Sequence, residues 1–487
     1  MEASTAAPSA PSGDPPLKRA ISRNMLLLFV IGDVVGGGIY TLVGVIGGEV
    51  GGLVWLPFAL ALVLAVLTAT AYAELVTKYP QAAGAALYVN KAFRRPFFTF
   101  MVAFAVMCSG IASASTLSRG VAETYLPRLF DWSLNETQTV LIALGFLLIV
   151  AAVNFRGISE SVKINVVLTL VEFGGLILIV VIGVAALIDG VGDVGNAFST
   201  ADAKAAGHDV SLIPAALAGT ALAFYALIGF EDSVNVAEEA KDPGRDYPRA
   251  LFGGLLIAGS LYIVIGIIAP AVLPYTTLID KETTPLLEIS QLGPLSVEIK
   301  IFAAIGIMAL INGALINMIM ASRLTYGMAR QRIVPSFFGK VHRGRQTPWT
   351  AIIFTSALAI ILTATGDVSD LATTTTTLLL LVFITVNISV LILRRDPVSH
   401  RHFVAPTLMP AIGAVAALAL LIHRIANDTE QITRALLLLA LGLVFWLANY
   451  VATRGVDKQF DTGMIQAIEH PEDAPTSDDE PPPPPRS

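Results

Sequence analysis

The sequence predicts an all-α polytopic membrane protein of twelve spans, with the first and sixth spans broken near mid-membrane. Three observations carry that expectation. The 487 residues are 55% hydrophobic and only 14% charged, with a mean hydropathy of +0.72, a balance rare in soluble chains of this size. Twelve apolar segments alternate with polar connections. Glycines interrupt two of those segments where a helix would cross the bilayer centre.

The chain starts with an arm, residues 1–17, rich in Ala, Ser and Pro and without an apolar run. It reads as disordered and cytoplasmic, not as a cleavable signal peptide. The first apolar segment, 25–46, is long enough to span a bilayer, which takes roughly 20 apolar residues. Its centre holds Gly36, Gly37 and Gly38, preceded by Gly32 and Asp33. Glycine weakens a helix interior by ~1 kcal/mol relative to alanine. A helix broken in lipid strands N–H and C=O groups, so it is tolerated only inside protein or beside a wet cavity. Taken alone, the run fits a binding break and close helix packing through small residues equally well.

Segments 53–76, 97–122, 139–153 and 162–187 follow. The amphipathic connection 77–96 is expected along the membrane surface. Ser109, Ser113, Ser115 and Thr116 make the third segment partly polar, a pattern more often packing than ligand binding. The fifth segment carries Glu172 between Leu170 and Leu176. An acid inside a span is a functional candidate, and a buried carboxyl favours its neutral form, so Glu172 is suited to binding and releasing a proton. Sodium ligation and a hydrogen bond to a neighbouring helix are the other two readings.

The sixth segment, 212–236, runs through Tyr225, Ala226, Leu227, Ile228, Gly229, Phe230, Glu231 and Asp232. Charges at a helix centre cost ~2.5–3.5 kcal/mol on insertion scales, so adjacent acids do not belong against lipid. Unwinding around Ala226–Gly229 puts them near the start of a second half-helix, whose positive dipole end favours them. Breaks in the first and sixth segments fall at corresponding positions of two five-helix halves, the sequence pointer to a mid-membrane site in inverted-repeat transporters. The charged run from Glu238 to Arg249, with Pro243 and Pro248, reads as a turn and gate network closing one helix and opening the next.

Segments 250–273, 297–321, 350–365, 368–393, 410–425 and 432–451 complete the twelve. Between them, the connection 273–294 is expected to hold a short surface helix, and 189–209 to be a polar external loop. Thr373–Thr377 circle the tenth segment, and Glu74 near the end of the second reads as a gate or folding contact. Twelve spans place both termini on one side. Twenty-four of the 31 Lys and Arg residues then lie on the terminal side and seven on the other, which makes the terminal side cytoplasmic. Residues 454–487 form an acidic, Pro-rich tail with eight acids against three bases, expected to be disordered.

Several motifs together resemble the amino acid–polyamine–organocation superfamily, and cationic amino acid transporter-like bacterial members in particular. Gly36–Tyr40 is similar to its first-helix glycine motif. Tyr72–Leu75 with Tyr79, Pro80 and Gly84 resembles the exit of its second helix. Phe224–Glu231, continuing to Asp242-Pro243 and Arg245–Pro248, resembles its sixth-helix signature. Asn312-Gly313, Ser322-Arg323 and Tyr326–Arg330 resemble its eighth. The likeness runs from about Leu17 to Tyr450 and implies a LeuT-type 5+5 inverted repeat over about 22–188 and 212–394, with peripheral helices over 405–453, inside a transporter domain of 18–453. It implies an amino acid, or a related amine or polyamine, as substrate.

The same resemblance implies that N–H groups of Gly36, Gly37, Gly38 and Ile39 hold a substrate carboxylate. It assigns carbonyls around Tyr225, Ala226 and Ile228 to the amino group, as half-helix ends attract opposite charges. Tyr225 sits where an aromatic lids the site, and Glu231 joins it as a gate residue. Asp33, Arg332 and Glu172 depart from the family pattern; many relatives carry a lysine at the place of Glu172. An ionised Asp33 favours cationic substrates. Expected function is therefore secondary transport by alternating access in the plasma membrane, proton-coupled symport with sodium as the other possible ion, or exchange.

Other classes fit less well. A membrane-embedded enzyme needs a buried Ser–His pair or His–Glu metal set, and no HExxH occurs. No Gly-x4-Gly-Lys-Ser/Thr motif occurs for ATP drive. The single cysteine, Cys108, rules out an intramolecular disulfide. No cofactor, metal or nucleic acid is expected. A substrate-sensing receptor on a transporter fold remains the alternative, since fold does not dictate function.

Overall fold

A computed structural model of the chain describes residues 22–452 apart from 81–83, 157–161, 209, 235–239, 281–283, 331–333, 343, 344, 346 and 428. The arm over 1–17, the tail over 454–487, Arg332 and the first two residues of the charged run, Glu238 and Glu239, lie outside the described residues. The described chain is all-helical. Fourteen helices of eight residues or more follow in order: α1 Arg23–Val34, α2 Gly38–Val50, α3 Trp55–Lys78, α4 Gly84–Phe93, α5 Pro96–Gly120, α6 Glu136–Arg156, α7 Val162–Ile188, α8 Leu212–Ala226, α9 Pro243–Val272, α10 Ile299–Arg330, α11 Trp349–Thr365, α12 Val368–Leu393, α13 Leu408–Asn427 and α14 Thr429–Ala452. Their ends follow local rules: Ser22 caps α1 through Met25 N–H (3.4 Å), Asp367 caps α12 through Asp370 N–H (2.8 Å), and proline opens α5 and α9.

Among the described residues nine helices are long and apolar enough to cross a membrane, or ten when α1 and α2 count as one span bent by 43°. The protein is thus a multi-pass membrane protein. Two expected spans are shorter. The helix α8 has 15 residues and α11 has 17. The chain after α8 turns at 227–231 and makes a 3₁₀ turn at 232–234. Residues 235–239, through which the expected second half-helix would run, lie outside the described residues.

Two connections carry short helices packed on the bundle. In α4 Ala85–Val89 are buried, α4 packs on α5 and α12, and the Tyr88 ring meets Tyr72 edge-on at 6.4 Å. In 273–294, the short helix Pro285–Ile289 buries Pro285, Leu286, Leu287 and Ile289. The loop before α8 is also anchored, with Trp55 Nε1 donating to the Ala197 carbonyl at 3.0 Å.

The helices α3, α8 and α9 gather around α1 and α2, whereas α5 packs on α10, α11 and α12. The two broken regions lie where these groups meet. Cys108 is fully buried on α5.

Candidate substrate pocket

The broken regions are packed against each other through glycine. A methyl at Gly38 would sit 2.7 Å from Ala226 Cα, and one at Gly229 would sit 2.4 Å from the Asp33 carbonyl oxygen. Real Cβ atoms do not approach that closely, so both positions require glycine. Gly229 also has φ +126°, a region that side chains disfavour. Gly37 abuts Leu117, and Gly32 abuts Thr169 on α7. Gly36 alone of the trio faces space: a methyl there meets only the Asp33 carbonyl oxygen at 3.5 Å.

That space is a cavity of about 60 Å³ between the breaks. It brings together most of the residues expected from sequence: Asp33, Gly36, Gly37, Gly38, Tyr225, Ala226 and Ile228 all line it. Ile39 is fully buried in the first turn of α2 and is not in the lining. Glu172 and Glu231 are also outside it. Asp232, Ser113, Asn312 and Asn317 are lining residues that sequence reasoning did not assign. Two amides inside the apolar run 297–321, Asn312 and Asn317, are the available sequence signal for this wall.

Local chemistry explains each placement. The break leaves the first-turn N–H groups of α2 without intrahelical acceptors, as at every helix start. Carbonyls freed in α1 find tyrosine: Tyr262 OH donates to the Val34 carbonyl at 2.9 Å. On α8 the Tyr225 carbonyl already accepts from Ile228 N–H at 3.2 Å, which leaves it one lone pair. The Tyr225 hydroxyl lies 3.2 Å from Ser113 Oγ, so α5 holds the ring at the cavity and Ser113 is more than packing. Glu231 turns back on its own chain, its Oε2 accepting from Gly229 N–H at 3.0 Å. That bond closes the turn and leaves Asp232 as the acid in the wall.

The cavity wall is rich in acceptors and has no Lys, Arg or His. Asp33 Oδ2 is buried and without a partner, and the carboxyls of Asp232, Glu231 and Glu172 act on Asp33 through space. Glu172 is fully buried on α7. Asn312 Nδ2 donates to its Oε1 at 3.1 Å, and Tyr40 OH donates to its backbone carbonyl at 2.7 Å. The hydrogen bond to a neighbouring helix, one of the three readings of Glu172, is therefore present, and it suits a carboxyl that titrates as well as one that does not. The Thr373–Thr377 run is buried throughout; Thr376 Oγ1 donates to the Ala221 carbonyl on α8 at 3.2 Å.

Helices of this length and hydropathy, bent at a glycine break beside an acceptor-lined cavity, define a multi-pass transport-type membrane protein. The chain belongs to the amino acid permease family, whose sequence profile matches residues 22–448. It is 27% identical over 396 residues to cationic amino acid transporter 3, mitochondrial, of Arabidopsis thaliana, covering 78% of this chain and 63% of that protein. It is 24% identical over 461 residues to a branched-chain amino acid permease of Bacillus subtilis, covering 90% and 94%. A methylthioribose transporter of the same bacterium is 23% identical over 425 residues, covering 84% and 88%. The chain thus spans about three-fifths of the plant transporter's length and nearly all of the bacterial permeases. These relatives are transporters, not enzymes.

Proposed function

We propose that the protein is a secondary transporter for an amino acid or related amine, moving it by alternating access through the cavity between the two breaks. The observation that carries this is the mutual packing of Gly38 on Ala226 and Gly229 on Asp33 around a cavity walled by backbone and acids. Helix-start N–H groups of Gly36–Gly38 suit a carboxylate, while Asp33, Asp232 and the open end of α8 suit an ammonium group. An amine-bearing substrate fits both the cationic and the branched-chain substrates named for relatives. Tyr225, held by Ser113, serves as the lid over it. Glu231, by holding the turn at Gly229, serves that gate through the backbone.

Twelve spans in two inverted five-helix halves, cytoplasmic termini and residence in the cytoplasmic membrane belong to the same reading. They are supported by the matched breaks and by the 24-to-7 division of basic residues. Glu172, buried on α7 beside the α1 break, is the proton-coupling site, in symport or in exchange. Counterflow in proteoliposomes, with a panel of amino acids, amines and polyamines, tests the transport reading: labelled substrate accumulates against unlabelled substrate inside, whereas a receptor binds without accumulating. In the same vesicles Glu172→Gln is expected to abolish the dependence of uptake on a pH gradient. An unchanged dependence would remove Glu172 from coupling.

A further inference from the structure

Glu172 and the cavity are not in contact, yet one side chain joins them. Asn312 lines the cavity and donates through Nδ2 to Glu172 Oε1 at 3.1 Å. The opposite end of the same amide, Asn312 Oδ1, is buried without a partner, as is Glu172 Oε2. Asn312 is only 3% exposed, so its amide sits in a space that excludes bulk water.

A primary amide donates at nitrogen and accepts at oxygen. A carboxylate only accepts, whereas a carboxylic acid also donates. The observed arrangement, nitrogen toward Glu172 and oxygen away, suits an ionised Glu172, and a neutral one only through its carbonyl oxygen. A proton arriving on Oε1 would set two donors face to face. A proton on Oε2 would meet no acceptor, because that atom has no neighbour to receive it. A buried O–H without an acceptor is costly, and half a turn of the amide relieves it: Oδ1 accepts from Glu172 and Nδ2 moves to the free side.

We propose that Asn312 is a relay, a positioning residue that converts the protonation state of Glu172 into an exchange of acceptor for donor beside the substrate. Ionised Glu172 leaves an acceptor there, which favours an ammonium group. Protonated Glu172 leaves a donor, which disfavours it. The other titratable groups facing this pair are Asp33 on α1, Tyr40 on α2 and Tyr262 on α9. Glu231 and Asp232 face Asp33 from the α8 break. The inference rests on the transporter reading and adds the route by which ion and substrate sense each other.

The test is isothermal titration of the purified full-length protein in detergent with L-leucine, L-lysine and cadaverine, over roughly pH 5 to 9. For cadaverine the relay adds about a tenfold loss of affinity or more as pH falls, the worth of one charge-assisted hydrogen bond. Titration of Asp33 and Asp232 contributes separately and persists in every variant below. The relay's share of the pH dependence is expected to vanish equally in Glu172→Gln and in Asn312→Ala, with the double variant losing no more than either single one. Asn312→Leu, which keeps the branched outline of asparagine without its hydrogen bonds, serves if the alanine variant fails to fold. A wild-type pH profile in the Asn312 variants, or losses that add in the double variant, overturns the relay alone. Absence of binding by the wild-type protein for every probe overturns the transporter reading and the relay with it.

Discussion

The glycines at the two breaks carry different duties. Gly38 and Gly229 permit backbone contact, whereas Gly36 opens onto the cavity. Gly229→Ala forces a side chain into φ +126° and against the Asp33 carbonyl. Strain of this kind costs about 1–3 kcal/mol, so a clear fall in the thermal midpoint of the purified protein is expected. Gly36→Ala meets no close neighbour and is expected to leave that midpoint within a degree or two while weakening substrate binding, read by titration. The reverse ranking would mean that the contacts at Gly229 are not what holds the breaks together. The glycines were legible because three in a row inside an apolar run leave few explanations. The roles of Asp232 and Asn312 were not, since a cavity is made by residues distant in sequence and no local pattern marks its wall. Asp232 and Glu231 are neighbours, and only the turn closed by Gly229 N–H decides which of them faces inward.

At the scale of elements, α3 and α12 are fastened at one end by a dense set of bonds. Glu74, 1% exposed, takes a two-pronged ion pair from Arg394, with Nε to Oε1 at 2.8 Å and Nη2 to Oε2 at 2.6 Å. Ala405 N–H adds a third bond to that carboxylate at 2.9 Å, and Tyr79 OH reaches Asp396 at 2.7 Å. Breaking a fully buried pair costs about 3–5 kcal/mol. Because Arg394 is 21% exposed, water takes over part of its charge, and Glu74→Gln is expected to cost about 2–3 kcal/mol. A thermal-shift measurement in detergent checks it; no shift would make the fastening superficial. Sequence marked Glu74 as a contact at the end of its helix, and the partner could not be read because 320 positions separate the two. The connecting helices α4 and Pro285–Ile289 each bury an apolar face, and sequence tells that such a face is buried, not by what.

For the whole molecule, the short α8 poses a length question. Its 15 residues rise ~22 Å at 1.5 Å each, short of the ~30 Å hydrocarbon core. The turn and 3₁₀ stretch over 227–234 must complete the crossing, if the loops on either side lie on opposite faces. That arrangement is testable because the one cysteine is buried. In a Cys108→Ala background, Lys204→Cys is expected to react with an impermeant maleimide in intact cells, and Arg245→Cys only after permeabilisation. Equal labelling of both from outside would put 204 and 245 on the same face and remove a span. That the chain spans a membrane many times was the most legible level, since about twenty apolar residues announce themselves. Interrupted spans were harder, because a break shortens the very helix used to recognise them.

The contact between the two breaks has a mechanical consequence. With Gly38 seated on Ala226 and Gly229 seated on Asp33, the crossing has no clearance. Neither strand of it is free to slide or swivel while its mate stands still. In the alternating access proposed above, the crossing works as an axle shared by two arms, so that a tilt opening the cavity toward one side of the membrane swings both arms together. A substrate held at the axle would then pass the pivot without being handed from one arm to the other.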